Sequence, residues 1–311
     1  MLPFHLVYHE QYDLNLGPHV FPSQKFRMIH DRLLAEGFAA PEDFVAPEAA
    51  TDEDLLRVHG HGWIERLKTG TLSHQELLQL EIPYSPEMVE AFCLAAGGTT
   101  LAARLAIDEG VSYNVGGGFH HAFPDHGEGF CAINDIAVGI RKLQREGKIT
   151  RAMVVDCDVH HGNGTAAIFA GDPTVFTLSI HQYNNYPGWK PPSTVDVHLT
   201  DGTGDEEYLD RLSTAYRFPL SEFQPQLVVY VAGADPYCQD QLGGLALTLE
   251  GLKQRDRIVI ETALRHGAAV AVVLAGGYAA RIEDTVTIHS NTARVANDAL
   301  TAAGWPSRKT N

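Results

Sequence analysis

Basic charge is in short supply. Against 39 acidic residues the chain carries 23 lysines and arginines, a formal net charge of −16. Phosphate backbones are repelled by that sign, so no nucleic acid is expected as a partner. Cationic substrates such as lysine side chains or polyamines are mildly favoured. Cysteine is also sparse: Cys93, Cys131, Cys157 and Cys238 are scattered with no CxxC pair. That excludes a disulfide framework and predicts reduced, intracellular thiols. The most apolar run, residues 268–280, falls short of the roughly 20 residues of a membrane span. Residues 1–10 lack the basic and apolar regions of a signal peptide. Repeats, low-complexity tracts and inter-domain linkers are missing as well. With 311 residues, 44% of them hydrophobic, the chain can bury a sizeable core. The expectation is one domain over 1–311, soluble and cytoplasmic.

What is present is alternation. Short apolar runs at 4–8, 111–115, 152–155, 175–180, 227–231 and 269–274 read as strands. Helical periodicity fills the gaps: a helix behind Ser23 as N-cap, one opening at Thr51, then 85–108, 132–145, 209–218, 252–265 and a closing helix at 291–303. Gly97-Gly98 in the long helix marks close packing or a break. Residues 182–206 show no convincing period and read as a long functional loop with an aromatic rim. His59 and His61 lie near a turn with no acid or cysteine at ligand spacing, so structural or surface roles are expected. The fold class that follows is α/β, a doubly wound, mainly parallel sheet flanked by helices.

In such sheets ligands gather outside the carboxyl ends of the strands. Four expected strands deliver polar residues there. The first ends in Gly116-Gly117-Gly118-Phe119-His120-His121-Ala122, and the second in Asp156-Cys157-Asp158-Val159-His160-His161-Gly162-Asn163-Gly164. The third and fourth end in Gly233-Ala234-Asp235 and Gly276-Gly277-Tyr278. In an extended chain Asp156, Asp158 and His160 share a face, and carboxylate with imidazole at that spacing suits a divalent metal. Each segment alone has a plain structural reading: a salt-linked core pair, a satisfied histidine pair, a turn cap before Pro236, a tight bend. Four strand ends carrying catalytic residue types together are harder to dismiss. Asp158, His160 and Asp235 would hold one divalent ion that activates water. A histidine would shuttle the proton and the tyrosine would donate to an oxyanion. That is a metal-dependent amidohydrolase.

The same segments, in the same order and with Gly129-Phe130-Cys131 between the first two, resemble the zinc-dependent histone deacetylase family on the arginase-deacetylase fold. Leu242-Gly243-Gly244-Leu245 and the short length resemble class IV and bacterial members. The resemblance implies Asp158, His160 and Asp235 as zinc ligands, with iron(II) an alternative ion. It implies His120 and His121 as the acid–base pair, with His121 the proton acceptor, Asp156 orienting His120 and Asn163 partnering His121. Some branches have aspartate at that last position, and an asparagine leaves His121 less basic. Tyr278 matches the transition-state tyrosine. A potassium ion is implied at Asp156, Asp158, His160, Ser179 and Ile180. Gly129 and Phe130 match the acyl-lysine tunnel, Tyr186 its opposing wall. The family's substrate-holding aspartate has no clear counterpart, Glu81 being the nearest candidate.

The implied activity is hydrolysis of N-ε-acyl-lysine amides in a peptide or protein, acetyl or longer. An acetylpolyamine or other acylated small amine is the competing substrate. A non-catalytic acyl-lysine binder is the third reading, disfavoured because every catalytic residue type is present.

Overall fold

The computed structural model describes residues 1–305. Eight strands form one sheet: β1 (Leu6–Val7), β2 (Phe44–Val45), β3 (Val111–Asn114), β4 (Ala152–Asp156), β5 (Val175–Gln182), β6 (Val195–Leu199), β7 (Leu227–Val231) and β8 (Ala269–Val273). Their order is β2-β1-β3-β8-β7-β4-β5-β6, every pair parallel. Central strands β3, β4, β7 and β8 are buried along their whole length. That is why they read as unbroken apolar runs: helices cover both faces of a parallel sheet.

Among the described residues ten α-helices supply the covering layers: α1 (Lys25–Ala35), α2 (Asp52–Leu55), α3 (His61–Thr69), α4 (His74–Leu80), α5 (Pro86–Glu109), α6 (Asp135–Arg145), α7 (Asn163–Ile168), α8 (Asp205–Phe223), α9 (Leu249–Arg265) and α10 (Ile282–Ala303). Helix α5 runs unbroken through Gly97-Gly98, so close packing is the reason for the pair. A Cβ at Gly97 would overlap the Glu48 carbonyl, and one at Gly98 the Tyr12 hydroxyl. By length and composition α5 could cross a membrane, but 67% of its most apolar window is buried inside the protein.

Three expectations need correction. Residues 182–206 contain β6, a half-exposed edge strand in register with β5 (Ser179 with Asp196, His181 with His198). Helix α10 begins at Ile282, a full nine residues before the expected start, because Glu283 and Asp284 occupy its first turn and mask the apolar face behind them. Ser23 does not cap α1. Gln24 holds that position without a side-chain bond, and the Ser23 hydroxyl donates to Asp13 at 2.5 Å.

Between α9 and the sheet lies Arg255, fully buried. It pairs with Asp256 (2.9 Å) and donates to the Gly233 and Cys157 carbonyls at 2.5 and 3.3 Å. A buried guanidinium is tolerable only when its donors are satisfied. Here they tie together the turns that carry Asp158 and Asp235.

Candidate active site

The carboxyl ends of β3, β4, β7 and β8 meet at one point. Strand β4 stops at Asp156, so the pleat does not align the residues beyond it. Two successive side-chain turns do: Asp158 N–H donates to Asp156 Oδ1 (3.1 Å), and His160 N–H donates to Asp158 Oδ1 (2.9 Å). Aspartates commonly bond their own backbone two residues on. The loop therefore coils tightly enough to bring Asp158 and His160 together.

Asp158, His160 and Asp235 converge with one donor atom each within 4.8 Å of the others, all three buried. His160 Nδ1 lies 3.0 Å from Asp158 Oδ1 and 3.4 Å from Asp235 Oδ2. Outer oxygens are occupied by backbone: Asp158 Oδ2 accepts from Gly276 N–H and Asp235 Oδ1 from Val159 N–H, both at 2.8 Å. Asp235 Oδ2 is buried with no hydrogen-bond partner among the described residues. Burial and the neighbouring Asp158 carboxylate push the Asp235 pKa up to about 7. Two adjacent buried carboxylates with an orphaned oxygen form a site short of positive charge. A divalent ion with one imidazole and two carboxylate ligands fits that deficit. Glycine at 276 is required because a Cβ there would overlap Asp235 Oδ2.

Beside this set stand His120 and His121, their Nε2 atoms 3.1 Å apart. His120 Nδ1 meets Asp156 Oδ2 at 2.7 Å, and His121 Nδ1 meets Asn163 Oδ1 at 2.7 Å. Burial pulls His120 down, but Asp156 and Asp158 outweigh it and hold the ring up at about 9. Burial together with His120 and His160 drives His121 well below the usual imidazole value. The turn feeding both rings is pinned by Asp135, which accepts from Gly118 N–H (2.9 Å) and Phe119 N–H (2.7 Å).

Glu128 was invisible in the sequence. It lies 35 positions from Asn163 yet accepts from Asn163 Nδ2. Its other oxygen accepts from Gln79 Nε2 at 3.1 Å. An ionised carboxylate can only accept. So Asn163 must turn its amide nitrogen to Glu128 and its oxygen to His121. That oxygen in turn requires the His121 proton on Nδ1 and leaves the Nε2 lone pair facing His120 Nε2. The only local sequence signal for Glu128 is an acid between two glycines, Gly127 and Gly129.

A cavity of about 190 Å³ opens above the site, with His121, His160 and Tyr278 at its floor and Gly129, Phe130, Tyr186 and Leu242 on its walls. Glu81 and Asn185 complete the lining. The Tyr186 ring stands 4.9 Å from that of His121, and Phe130 lies 6.1 Å from Tyr278. Backbone bonds fix the Gly129–Phe130 turn: Gly129 N–H donates to Gln79 O (3.2 Å) and Phe130 N–H to Leu80 O (3.0 Å). Tyr278 is held through its backbone, its N–H donating to Asp240 Oδ2 at 2.7 Å. Beneath it, buried Lys25 donates to the Ala275 carbonyl at 2.6 Å and faces the rings of Phe21 and Tyr278. Burial lowers its pKa to about 8. Ser179 lies beside Asp156 in register, and its hydroxyl meets His181 Nδ1 at 2.9 Å; Ile180 is fully buried. His59 is buried on backbone partners, and His61 is exposed beside Glu65.

A histone deacetylase domain model matches residues 19–293. The chain belongs to the histone deacetylase family. Relatives include an uncharacterized protein of Picosynechococcus, 42% identical over 95% of this chain and 99% of that protein. Histone deacetylase 2 of Arabidopsis thaliana is 32% identical, covering 88% and 74% of the two chains. A histone deacetylase-like amidohydrolase of Pseudomonas aeruginosa is 32% identical, covering 81% and 70%. The crystal structure of the HDA15 HD domain superposes with a TM-score of 0.78 at 24% identity, covering 98% and 89%, a likeness of fold. The protein is thus a hydrolase of a generally metal-dependent family whose members act on acyl-amide substrates.

Proposed function

We propose that residues 1–311 act as one N-ε-acyl-lysine deacylase domain, cutting the amide to free lysine and a carboxylate. The observation that carries this reading is His121, His160 and Tyr278 at the floor of one apolar-walled cavity, with Asp158 and Asp235 grouped around His160 and His120 against His121. Asp158, His160 and Asp235 hold a divalent ion, zinc in our reading, although the same donors suit iron(II). When bound it polarises the amide carbonyl and makes water acidic enough to attack near neutral pH. Asp156 and Ser179, register partners, with Asp158, His160 and Ile180 are our assignment for a potassium ion.

The residues divide the remaining work. His121, with its lone pair on Nε2, takes the proton of the attacking water and returns it to the leaving amine. His120, gripped by Asp156, sets its Nε2 proton against the same His121 nitrogen and gives up that contact when His121 takes the water's proton. The Tyr278 hydroxyl donates to the oxyanion as the carbonyl carbon becomes tetrahedral. Phe130 and Tyr186 flank the lysine methylenes, which suits an unbranched apolar stem.

The test is release of lysine amine from acylated peptides. Tyr278→Phe should lower kcat by about 10²–10³-fold with the metal retained, and chelation should abolish turnover. Full activity in chelated protein would sink the mechanism. Glu81 at the cavity and the net charge of −16 favour a second reading, an acylated polyamine. Parallel turnover of acetylputrescine and an acetyl-lysine peptide separates the two, and an acetyl-to-myristoyl series defines the chain length.

A further inference from the structure

His160 and His161 are consecutive, but they belong to different clusters. His161 turns away from the first site towards the sheet edge, where a second group of potential ligands converges: His161, His181 and Asp196, one donor atom each within 4.8 Å of the others. The register of β5 and β6 builds it. Ser179 and His181 share one face of β5, and their partners Asp196 and His198 share the matching face of β6. The His161 and His181 rings stand 4.7 Å apart, and His161 Nε2 lies 3.1 Å from Asp196 Oδ1.

The protein's own hydrogen bonds leave one nitrogen of this group unmet. His161 is fully buried, and its Nδ1 has no partner among the described residues. His181 is bonded at both nitrogens, Nδ1 to the Ser179 hydroxyl at 2.9 Å and Nε2 to His198 Nδ1 at 3.0 Å. Three imidazoles meet a single carboxylate here. A cation that accepts lone pairs suits three imidazoles beside one carboxylate. There is also a way in, since His198 is exposed and the Asp196 side chain is 17% exposed. An ion can arrive from solvent without opening the sheet.

We propose that His161, His181 and Asp196 bind a second divalent transition-metal ion, separate from the one at Asp158, His160 and Asp235. Two imidazoles and one carboxylate form a donor set suited to zinc and, by the same preference, cobalt(II). Bound there, the ion fastens edge strand β6 and β5 to the loop that carries His160. Its role is structural: none of these three residues lines the cavity.

Metal counting tests the proposal without reference to turnover, so failure of the deacylase reading would leave the counts unchanged. Tag-free protein is loaded with zinc, dialysed and analysed for metal per chain. Two ions are expected in the wild type, one in Asp235→Ala, one in Asp196→Asn and none in the double variant. Zinc at about a hundred times its dissociation constant should raise the melting temperature of Asp235→Ala by about 4 °C. The double variant should show no rise. A single ion per wild-type chain, or two ions persisting in Asp196→Asn, overturns the proposal. If Asp196→Asn does not fold, the Asp235→Ala count decides: one retained ion supports the second site, and none removes it.

Discussion

His120 and His121 are neighbours in the chain and face each other across 3.1 Å, but they are held by opposite means. His120 leans on a buried carboxylate, Asp156, which keeps it protonated. His121 leans on a neutral amide, Asn163, and the carboxylate behind that amide, Glu128, stands one residue further out. Distance from negative charge separates two chemically identical rings into a fixed donor and a free acceptor. Coupled groups this close share their titration, so the arms are best compared by breaking each one.

The largest effect should come from the charged arm. Asp156→Asn puts a neutral partner on His120 as well, and nothing then keeps that ring a donor to His121. We expect kcat to fall roughly 10²–10³-fold, the range in which acid–base pairs contribute. The check is steady-state kinetics with metal content measured alongside. An activity within threefold of the wild type would show that the arms are equivalent.

His59 supplies a third way of holding a buried histidine, with backbone alone. Its Nδ1 meets the Phe123 carbonyl at 2.9 Å and its Nε2 accepts from Asn134 N–H at 3.0 Å. Burial lowers its pKa from 6.5 to about 4. A depressed folded value means stability that is present above about pH 6.5 and is lost as pH falls towards 4. The full contribution is roughly 3 kcal/mol. Denaturant titrations across that window should show the loss, and His59→Gln should flatten it. An unchanged slope in the variant would place the acid sensitivity elsewhere.

Converting the neutral arm into a copy of the charged one should cost less. Asn163→Asp sets a carboxylate against Glu128, where an amide donor now sits. Like charges without a bridging proton should destabilise the fold by about 1–3 kcal/mol. Adding Glu128→Gln exchanges the two groups and should restore most of that loss. If the double variant is no more stable than the single, the two residues are not coupled.

Much of this architecture could be read from the chain, for a physical reason. Parallel central strands are buried on both faces, so 152–155, 227–231 and 269–274 stand out as apolar runs. The residues that follow them had to lie at one sheet edge. Strand β6 escaped because Asp196 and His198 alternate with its valines and leave no unbroken apolar run. The grouping of Asp158 with His160 was expected from strand pleating but arises from side-chain turns beyond the strand. Glu128, Lys25 and the carbonyl contacts of Arg255 were silent because the partners are remote in sequence: 35 positions for Glu128 and Asn163, 250 for Lys25 and Ala275, 98 for Arg255 and Cys157. A local pattern carries no trace of such contacts.

The smallest effect is also the most specific. Glu128→Gln keeps the size of the side chain and removes its obligation to accept. The substituted amide then has one oxygen for two donors, Asn163 Nδ2 and Gln79 Nε2, and its own nitrogen must face one of them. Asn163 is free to rotate its amide in response. In the rotated form it offers N–H to His121, whose proton moves to Nε2, the atom that should accept from water. With both forms populated, kcat should fall about 3–10-fold, and any change in KM reports on Tyr186, the cavity-wall residue that Glu128 also bonds. Nitrogen-15 shifts of the imidazole should show a mixture of His121 tautomers where the wild type shows one. Glu128→Asp, which still only accepts, should recover the single tautomer if its shorter arm reaches Asn163. A kcat equal to the wild type, with one tautomer in Glu128→Gln, would mean that Asn163 holds its orientation unaided and that the neutral arm ends there.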